Sequence, residues 1–364
     1  MDYQDLIKMK NFFKIKKKKI GHNYPSYFIA DIAANHDGNL NKAIDLINQA
    51  KESGADAAKF QHFKAETIVS DKTFKEMKNK LSHQKNWKKS VFQVYKEASI
   101  DLNWTDKLKK ECDKVGIDFF TAPYSLELID YVDPYICAYK IGSGEISWTE
   151  AVEKMAKKKK PIIIATGASS LNDVKRAMKS ILKFNHNVCV MQCNTNYTGL
   201  DNNLKYINLN VLKTYKKVFP NAILGLSDHT HGHATVLGAI ALGARVVEKH
   251  FTLSNNLKGP DHKFSMNPKS WYEMISRSRE LEQSLGTEKK KIEDNEKDTS
   301  LVQRRSIHSK KEIKKNTILK KEDLICLRPY LKKALHPYEM NLILGKRVVK
   351  THKKGEVILW KNLK

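Results

Sequence analysis

The chain has 364 residues, of which 41% are hydrophobic, and it carries a formal net charge of +26 at pH 7. This length suits one large domain with a smaller one attached, and the hydrophobic content is sufficient for a core and excludes a disordered chain. No apolar stretch approaches the roughly 20 residues of a membrane span. Only eight of the 66 basic residues are Arg, the usual reader of bases and phosphates, so we expect no nucleic-acid partner.

The cysteines and the N-terminus both indicate a location inside the cell. Five cysteines are scattered along the chain without a C-x-x-C pair, which is typical of reduced thiols. The N-terminus is rich in lysine but has no continuous apolar region of the kind found in signal peptides. We therefore expect a cytoplasmic protein with no membrane partner.

The sequence predicts a regular alternation of strands and helices after an N-terminal extension, residues 1–26. The first 20 residues of this extension are basic, and we expect them to be peripheral. The apolar runs that predict strands are 27–32, 55–60, 117–121, 138–141, 161–166, 188–193, 222–226 and 245–247. The segments whose spacing predicts helices are 40–53, 108–115, 126–132, 149–158, 171–182, 204–218, 233–242 and 271–285. Residues 64–100 are polar, lysine-rich and aromatic, and they indicate a long insertion.

This alternation predicts a fold of the α/β class, because buried strands that alternate with helices form a parallel sheet. Eight such strands match a (β/α)8 TIM barrel over residues 1–285. The rival fold is a doubly wound open sheet, which usually has a Gly-rich first turn. Residues 34–38, Ala-Asn-His-Asp-Gly, are not such a turn, so the barrel is the prediction.

The end of the chain predicts a second, smaller domain. Residues 286–303 contain few large apolar side chains and indicate a linker. Residues 304–364 alternate short β-like runs with turns, which is typical of a small, mostly-β domain. A domain of about 60 residues is marginally stable alone, so we expect it to pack on its own barrel or on a partner's.

Polar side chains stand at the predicted strand ends, and in a barrel the carboxyl ends of the strands face the active site. The candidates are Asp31, Lys59, Gln61, Thr121, Lys140, Ser143, Glu145, Thr166, Thr195, Tyr197, Ser227, His229 and His250, with Asp261 in a turn after the last strand.

Two histidines follow neighbouring strands, His229 after the seventh and His250 after the eighth. Neutral imidazoles suit a divalent transition metal, and two histidines without a thiolate leave positions open for water and substrate. For either histidine alone, a structural role is the alternative. Together they predict a catalytic metal site.

Lys59 and Lys140 end strands within an apolar wall, where an ammonium group is costly unless it meets an anion. With the nearby hydroxyls they predict a site for a phosphate and a carboxylate. The alternative is a structural salt bridge from each lysine to Asp31, Glu145 or Glu248. The carboxylates Asp31, Glu145 and Asp261 could orient a polyhydroxylated ligand or move protons, although Asp261 could also cap its own turn.

Several motifs at these positions resemble the sialic acid synthase family. They are Asp31-x-x-x-Asn35-His-Asp-Gly38, Lys59-Phe-Gln61, Tyr139-Lys-Ile-Gly-Ser-Gly-Glu145, Ala165-Thr-Gly167, Gly225-Leu-Ser-Asp-His-Thr230, Glu248-Lys-His-Phe-Thr252, Gly259-Pro-Asp261 and Ser265-Met-Asn-Pro268. The C-terminal segments Arg304-Arg-Ser306 and Leu327-Arg-Pro329 resemble that family's antifreeze-like (SAF) domain. The resemblance covers nearly the whole chain.

The resemblance implies a transferase of carbohydrate biosynthesis that condenses phosphoenolpyruvate with an N-acetylated hexosamine of the N-acetylmannosamine type. The products would be a nine-carbon nonulosonic (sialic) acid and phosphate. It implies a manganese-type metal at His229 and His250, with Mg²⁺ or Co²⁺ as alternatives. It implies phosphoenolpyruvate contacts from Lys59, Thr121, Lys140, Ser143 and Ser227, and sugar contacts from Gln61, Glu145, Tyr197 and Asp261. It also implies a domain-exchanged homodimer in which Arg328 of the partner's small domain closes the site.

The chain departs from the family pattern at several positions. Asp31 stands where the family usually has Glu, Ala165 where it has a phosphate-contacting Ser, and Thr195 where it has Asn. Residues 330–334, Tyr-Leu-Lys-Lys-Ala, replace a Gly-rich turn. We expect Asp31 to assist proton transfer or sugar opening.

Two other functions remain alternatives. The first is synthesis of a legionaminic- or pseudaminic-type acid from a diacetamido-dideoxy sugar. The second is a non-catalytic carbohydrate-binding protein with a degenerate barrel.

Overall fold

The structure is a computed structural model that describes residues 11–77, 81, 84, 85, 87–198 and 201–364. The first ten residues of the predicted extension and parts of the predicted insertion lie outside these ranges. The chain divides into two compact units, one ending at Gly286 and one beginning at Thr287.

The first unit is built on eight parallel strands, and the prediction of a (β/α)8 barrel is confirmed. A two-stranded hairpin, β1 (Phe12–Ile15) and β2 (Lys18–Gly21), precedes the barrel. The barrel strands are β3 (Tyr27–Asp31), β4 (Ala57–His62), β5 (Asp118–Pro123), β6 (Tyr139–Ile141), β7 (Ile162–Ala165), β8 (Val188–Cys193), β9 (Ile223–Asp228) and β10 (Ala244–His250). Their order is β5-β4-β3-β10-β9-β8-β7-β6, and the two end strands lie next to each other, so the ring is nearly closed.

Helices follow the strands around the outside of the barrel. They are α1 (Leu40–Glu52), α2 (Ala65–Ile68), α3 (Asp71–Glu76), α4 (Val91–Ala98), α5 (Thr105–Val115), α6 (Leu126–Val132), α7 (Thr149–Lys157), α8 (Leu171–Leu182), α9 (Val211–Val218), α10 (Ala234–Ala241) and α11 (Pro268–Leu285). The helix predicted from residue 204 is wrong in its first turns, because the α-helix begins only at Val211. Asn208 has a φ of 50°, a left-handed conformation that interrupts a helix.

The strands are buried because both of their faces are covered. Outward-pointing residues such as Phe28, Phe60 and Val190 pack against apolar residues of the helices, for example Leu46 and Ile181. A strand covered on both faces appears in the sequence as a continuous apolar run, which is why the strands could be predicted from short runs.

The N-terminal hairpin forms part of the core, so the prediction that the first 20 residues are peripheral is wrong for the described residues from 11 onward. Phe13, Ile15 and Ile20 are buried and cluster with residues at the amino ends of the barrel strands, such as Tyr27 and Ile223. The lysines of this segment stay exposed while the alternating apolar residues point into the barrel. The hairpin thus closes the end of the barrel opposite to the carboxyl ends of the strands.

The second unit is small and mostly β, as predicted. It contains α12 (Lys297–Gln303), the antiparallel pair β11 (Ser306–Ser309) and β12 (Leu324–Leu327), and the short helix α13 (Met340–Ile343). Its own core includes Ile307, Leu335, Val348 and Ile358. Because α12 lies within residues 286–303, the stretch predicted as a linker contains a short helix. None of the helices in the described ranges is both long and apolar enough to cross a bilayer.

Candidate active site

A cavity of about 310 Å³ lies at the carboxyl ends of the barrel strands. Eleven of the fourteen predicted site residues line it: Asp31, Lys59, Gln61, Lys140, Ser143, Glu145, Tyr197, Ser227, His229, His250 and Asp261. They come from six strands and the loops that follow them, so only the closed barrel brings them together.

Four buried charged side chains form a network on the floor of the cavity. The ammonium of Lys59 lies 2.7 Å from a carboxylate oxygen of Asp31 and 3.7 Å from Glu248, and Lys140 lies 3.3 Å from Glu248. These side chains are at most 5% exposed. Burial alone would lower the pKa of Lys59, but the two carboxylates outweigh it and raise that pKa, so Lys59 is charged. The lysines are thus both cavity-lining and paired.

Glu248 is a cavity residue that the sequence analysis considered only as a salt-bridge partner. Its Oε1 lies near both lysines and accepts a hydrogen bond from Ser227 Oγ at 3.4 Å. Its Oε2 is buried and has no hydrogen-bond partner among the residues that the structure describes. The period of two along β10 could have revealed it, because Glu248 and His250 share the inward face.

The rings of His229 and His250 lie side by side, with centroids 5.4 Å apart. Nδ1 of His229 is 2.8 Å from the backbone oxygen of Asn194, so it donates there and leaves Nε2 as the lone-pair atom. Nδ1 of His250 is buried and has no hydrogen-bond partner in the described part of the chain. Tyr197 and Phe264 pack against the two rings and hold them in place.

These two imidazoles fit a divalent cation as part of its ligand set. A histidine whose Nδ1–H bonds to a carbonyl has the arrangement of a typical metal ligand. Burial first, and then the positive groups around it, lower the pKa of His250 well below its usual value, so His250 is neutral as a ligand must be. Within the described ranges, no group of three or more His, Cys, Asp or Glu side chains is arranged to hold a metal ion, so the two imidazoles would be only part of a ligand set.

His229 also contacts a thiol. Burial lowers the pKa of His229, but the neighbouring Cys193 outweighs this effect and raises it. Burial likewise raises the pKa of Cys193, but His229 and Ser143 overcome it, so that the pKa of the thiol is lowered. All five cysteines are free, as predicted.

Glu145 lies on another side of the cavity, in the loop after β6. Burial raises its pKa from 4.5 to about 7. Gly142 makes this loop possible, since a Cβ there would lie 2.8 Å from the Glu145 carboxylate and 3.2 Å from the Tyr124 hydroxyl. Opposite, Asp261 accepts a hydrogen bond from the backbone N–H of Ala34 at 3.3 Å, and burial raises its pKa to about 6. Two carboxyl groups that are easily protonated therefore line the same cavity.

A comparison with known protein families identifies the chain. The NeuB family model matches residues 46–290, which contain most of these cavity residues. The chain belongs to the NeuB family. The SAF domain model matches residues 304–364, so the resemblance found in the sequence is confirmed for both parts of the chain.

Several NeuB-family proteins are similar over almost their full length. The N,N'-diacetyllegionaminic acid synthase of Campylobacter jejuni is 35% identical over 91% of this chain and 98% of that protein. The human N-acetylneuraminate-9-phosphate synthase is 30% identical over 93% of each chain. The crystal structure of the N-acetylneuraminic acid synthetase of Leptospira borgpetersenii has a TM-score of 0.69 at 26% identity, covering 80% of this chain and 95% of that one.

Four predicted site residues of this NeuB-family chain do not line the main cavity. Thr166 is buried, and its hydroxyl donates to the backbone oxygen of Met191 at 2.8 Å. Thr121 is buried, and its hydroxyl lies 2.6 Å from Nδ1 of His62. Thr195 lines a neighbouring cavity of about 330 Å³ that shares Cys193 with the first. Arg328 belongs to the second unit, where it is exposed and its Nε donates to the backbone oxygen of Gln303 at 2.7 Å. Their predicted roles stay predictions.

The segment predicted as an insertion contributes an apolar wall to the NeuB-family cavity. Phe63 precedes the segment, and Ile68, Trp87, Val94 and Ala98 within it line the cavity. The sequence analysis missed this wall. Val91, Val94, Tyr95 and Ala98 have the i, i+3, i+4, i+7 spacing of one helix face, which could have indicated it.

Proposed function

We propose that the chain condenses phosphoenolpyruvate with the open-chain aldehyde of an N-acetylated amino sugar, giving a nonulosonic acid and inorganic phosphate. The observation that carries this proposal is the pairing of two buried lysines with two imidazoles in a single cavity. A site that only bound carbohydrate would have no use for buried cations beside a metal-binding pair.

In this proposal Lys59 and Lys140 bind the phosphate and the carboxylate of phosphoenolpyruvate. Their ammonium groups are held by Asp31 and Glu248 before the substrate arrives, so no reorganisation of the cations is needed. The hydroxyls of Ser143 and Ser227 line the same region and supply further donors.

The sugar lies across the cavity, held by Gln61, Glu145, Tyr197 and Asp261. The alkene carbon C3 of phosphoenolpyruvate forms a bond to the aldehyde carbon, and the aldehyde oxygen takes up a proton. Water adds to C2, and the bond from C2 to the phosphate oxygen then breaks to release phosphate. Carboxyl groups within the cavity can supply or accept these protons, and Asp31 and Asp261 lie 3.6 Å and 3.7 Å from the two ring nitrogens of His250.

A divalent cation at His229 and His250 would supply Lewis-acid polarisation of the aldehyde oxygen. Mn²⁺ is the cation that we propose. The chain's own contribution is a neutral His250, a fixed tautomer of His229 and the rings of Tyr197 and Phe264 that pack against the two imidazoles.

A second acceptor, a diacetamido deoxy sugar, is favoured by the apolar wall. A methyl group in place of the hydroxymethyl group at C6, and a second N-acetyl methyl, would both bury against Phe63, Ile68 and Val94 rather than leave a hydroxyl unpaired. The 35% identity to an N,N'-diacetyllegionaminic acid synthase also supports this acceptor.

We further propose that the active form is a homodimer in which Arg328 of a second copy completes the site. The support is that this guanidinium is exposed in the second unit. Within the described ranges it donates one hydrogen bond, to the backbone oxygen of Gln303. Arginine is the residue best suited to bind a carboxylate or phosphate in two places.

The experiment that tests these proposals measures phosphate release from phosphoenolpyruvate with Mn²⁺ and a panel of sugars. The panel contains N-acetylmannosamine and a diacetamido deoxy hexose, and mass spectrometry identifies the acid that forms. We expect release that requires both a sugar and the cation. If no sugar in the panel produces release, the carbohydrate-binding alternative is favoured instead.

A further inference from the structure

A second buried ion pair lies directly behind the two histidines, and the mechanism above does not use it. Asp228 and Lys249 are neighbours in the register of β9 and β10. Their side chains point away from the cavity, lie 2.5 Å apart and are each only 1% exposed.

This pair is bonded to both sides of His229. The ammonium of Lys249 bonds to the Asp228 carboxylate, just before His229, and donates at 2.7 Å to the backbone oxygen of Thr230, just after it. Lys249 itself is the residue that precedes His250. One ammonium group therefore fixes the backbone around both imidazoles.

The Asp228 carboxylate is anchored in turn to the start of α10. It accepts hydrogen bonds from the hydroxyl of Thr235 at 2.7 Å and from that of Thr230 at 2.9 Å. The turn between β9 and α10, which begins with His229, is thus held at both ends. In the part of the chain that the structure describes, the polar atoms of this cluster all have partners.

A buried ion pair contributes little net stability, because desolvation offsets most of the attraction between the charges. Such a pair is explained better by what it positions, and here its partners lie on either side of the two imidazoles. We propose that Asp228 and Lys249 are positioning residues that hold His229 and His250 at the separation a divalent cation requires. This inference rests on the proposed metal site.

The test compares Mn²⁺ binding by the wild-type protein and by the double variant Asp228→Asn/Lys249→Met, which leaves no buried charge and keeps an acceptor for the threonines. Electron paramagnetic resonance of free Mn²⁺ gives the dissociation constant, and a thermal melt reports the stability. We expect the dissociation constant for Mn²⁺ to rise about tenfold or more, which is the effect typical of removing residues that orient metal ligands. The melting temperature should stay close to that of the wild type.

The control is the half-buried pair Asp133 and Lys160 at the amino end of β7, whose charged atoms lie 2.9 Å apart and whose side chains are 27% and 29% exposed. The variant Asp133→Asn/Lys160→Met loses an ion pair far from the cavity, and its affinity for Mn²⁺ is expected to match that of the wild type.

Three results would overturn the inference. A folded Asp228→Asn/Lys249→Met protein with wild-type affinity for Mn²⁺ contradicts the positioning role alone. If that variant does not fold, Thr235→Val replaces it, because it removes a hydrogen bond that anchors the Asp228 carboxylate and keeps the side-chain volume. An unchanged affinity for Mn²⁺ in Thr235→Val also contradicts the role. A wild-type protein that does not bind Mn²⁺ removes the proposed metal site as well, which separates the two failures.

Discussion

The variant Lys140→Met tests the charge network on the cavity floor. It removes the cation 3.3 Å from Glu248 and leaves that carboxylate, 5% exposed, with Lys59 at 3.7 Å and the hydroxyl of Ser227 at 3.4 Å. Breaking a buried ion pair costs about 3–5 kcal/mol, and the remaining contact with Lys59 favours the lower end, about 3 kcal/mol. Denaturant unfolding followed by tryptophan fluorescence measures this loss.

A second substitution separates stability from binding. Adding Glu248→Gln to Lys140→Met removes the carboxylate charge that has lost its nearer lysine, so most of the lost stability is expected to return. The affinity for phosphoenolpyruvate is not expected to return, since one charge-assisted contact is still missing, which corresponds to about 1.5–3 kcal/mol or roughly a 10- to 150-fold weaker binding.

Calorimetric titration with phosphoenolpyruvate gives that affinity, and Lys158→Met is the control. Lys158 bonds to Asp130 at 2.8 Å on the surface, where an ion pair contributes about 0–1 kcal/mol, and it lies outside the cavity. The reasoning fails if Lys140→Met is as stable as the control, or if the double variant binds phosphoenolpyruvate as tightly as the wild type.

Three further predictions concern Glu145, Asp31 and the N-terminal hairpin. Burial raises the pKa of Glu145 from its ordinary value of 4.5 to about 7 in the folded state, so the folded state holds this proton more tightly. The contribution of this group to stability is fully present below pH 4.5 and falls by at most about 3 kcal/mol as the pH rises to 7. Glu145→Gln should reduce that slope in thermal melts across this range and leave the part that comes from Asp261, and an unchanged slope would exclude Glu145 as a source. Asp31→Ala should lower turnover by about 100-fold or more in the phosphate-release assay, as for loss of an acid–base group, whereas unchanged turnover would refute a role for Asp31 in proton transfer. Ile15→Ala should destabilise the barrel by about 2–5 kcal/mol through the cavity it leaves, and a loss below about 1 kcal/mol in denaturant unfolding would show that the hairpin is dispensable.

The barrel and the inward residues at its strand ends could be predicted from the sequence, because both follow from short-range rules. A strand buried on both faces needs a continuous apolar run, and α6 and α8 show the apolar spacing of amphipathic helices. A parallel barrel then brings the carboxyl ends of its strands together regardless of the length of the connecting loops. Asp31 and His250, which are distant in sequence, therefore have side-chain atoms 3.6 Å apart.

Features that depend on long-range packing could not be predicted. The N-terminal hairpin has only three buried apolar residues, which are separated by lysines. The sequence around them does not show that they pack into the open end of the barrel. The position of Thr121 depends on His62, whose second ring nitrogen is 2.9 Å from the Thr105 hydroxyl. A buried histidine of this kind cannot be distinguished in sequence from a surface one.

The Asp228–Lys249 pair illustrates a different limit. Asp228 precedes His229 and Lys249 precedes His250, so each histidine has a charged neighbour in sequence. The sequence alone does not show which residue of each pair faces the cavity. Only the register of β9 against β10 assigns the two inward and outward faces.

The pairing of both cavity lysines with carboxylates has a consequence for selectivity among anions. A small ion such as sulfate or free phosphate must compete with Asp31 and Glu248 for each ammonium, and it gains one contact for every one that it disrupts. A molecule bearing two anionic groups on one rigid skeleton engages both ammonium groups for a single loss of translational freedom. If the proposed reaction is correct, this arrangement favours phosphoenolpyruvate over the inorganic phosphate that the reaction would release, and we expect little inhibition by that product.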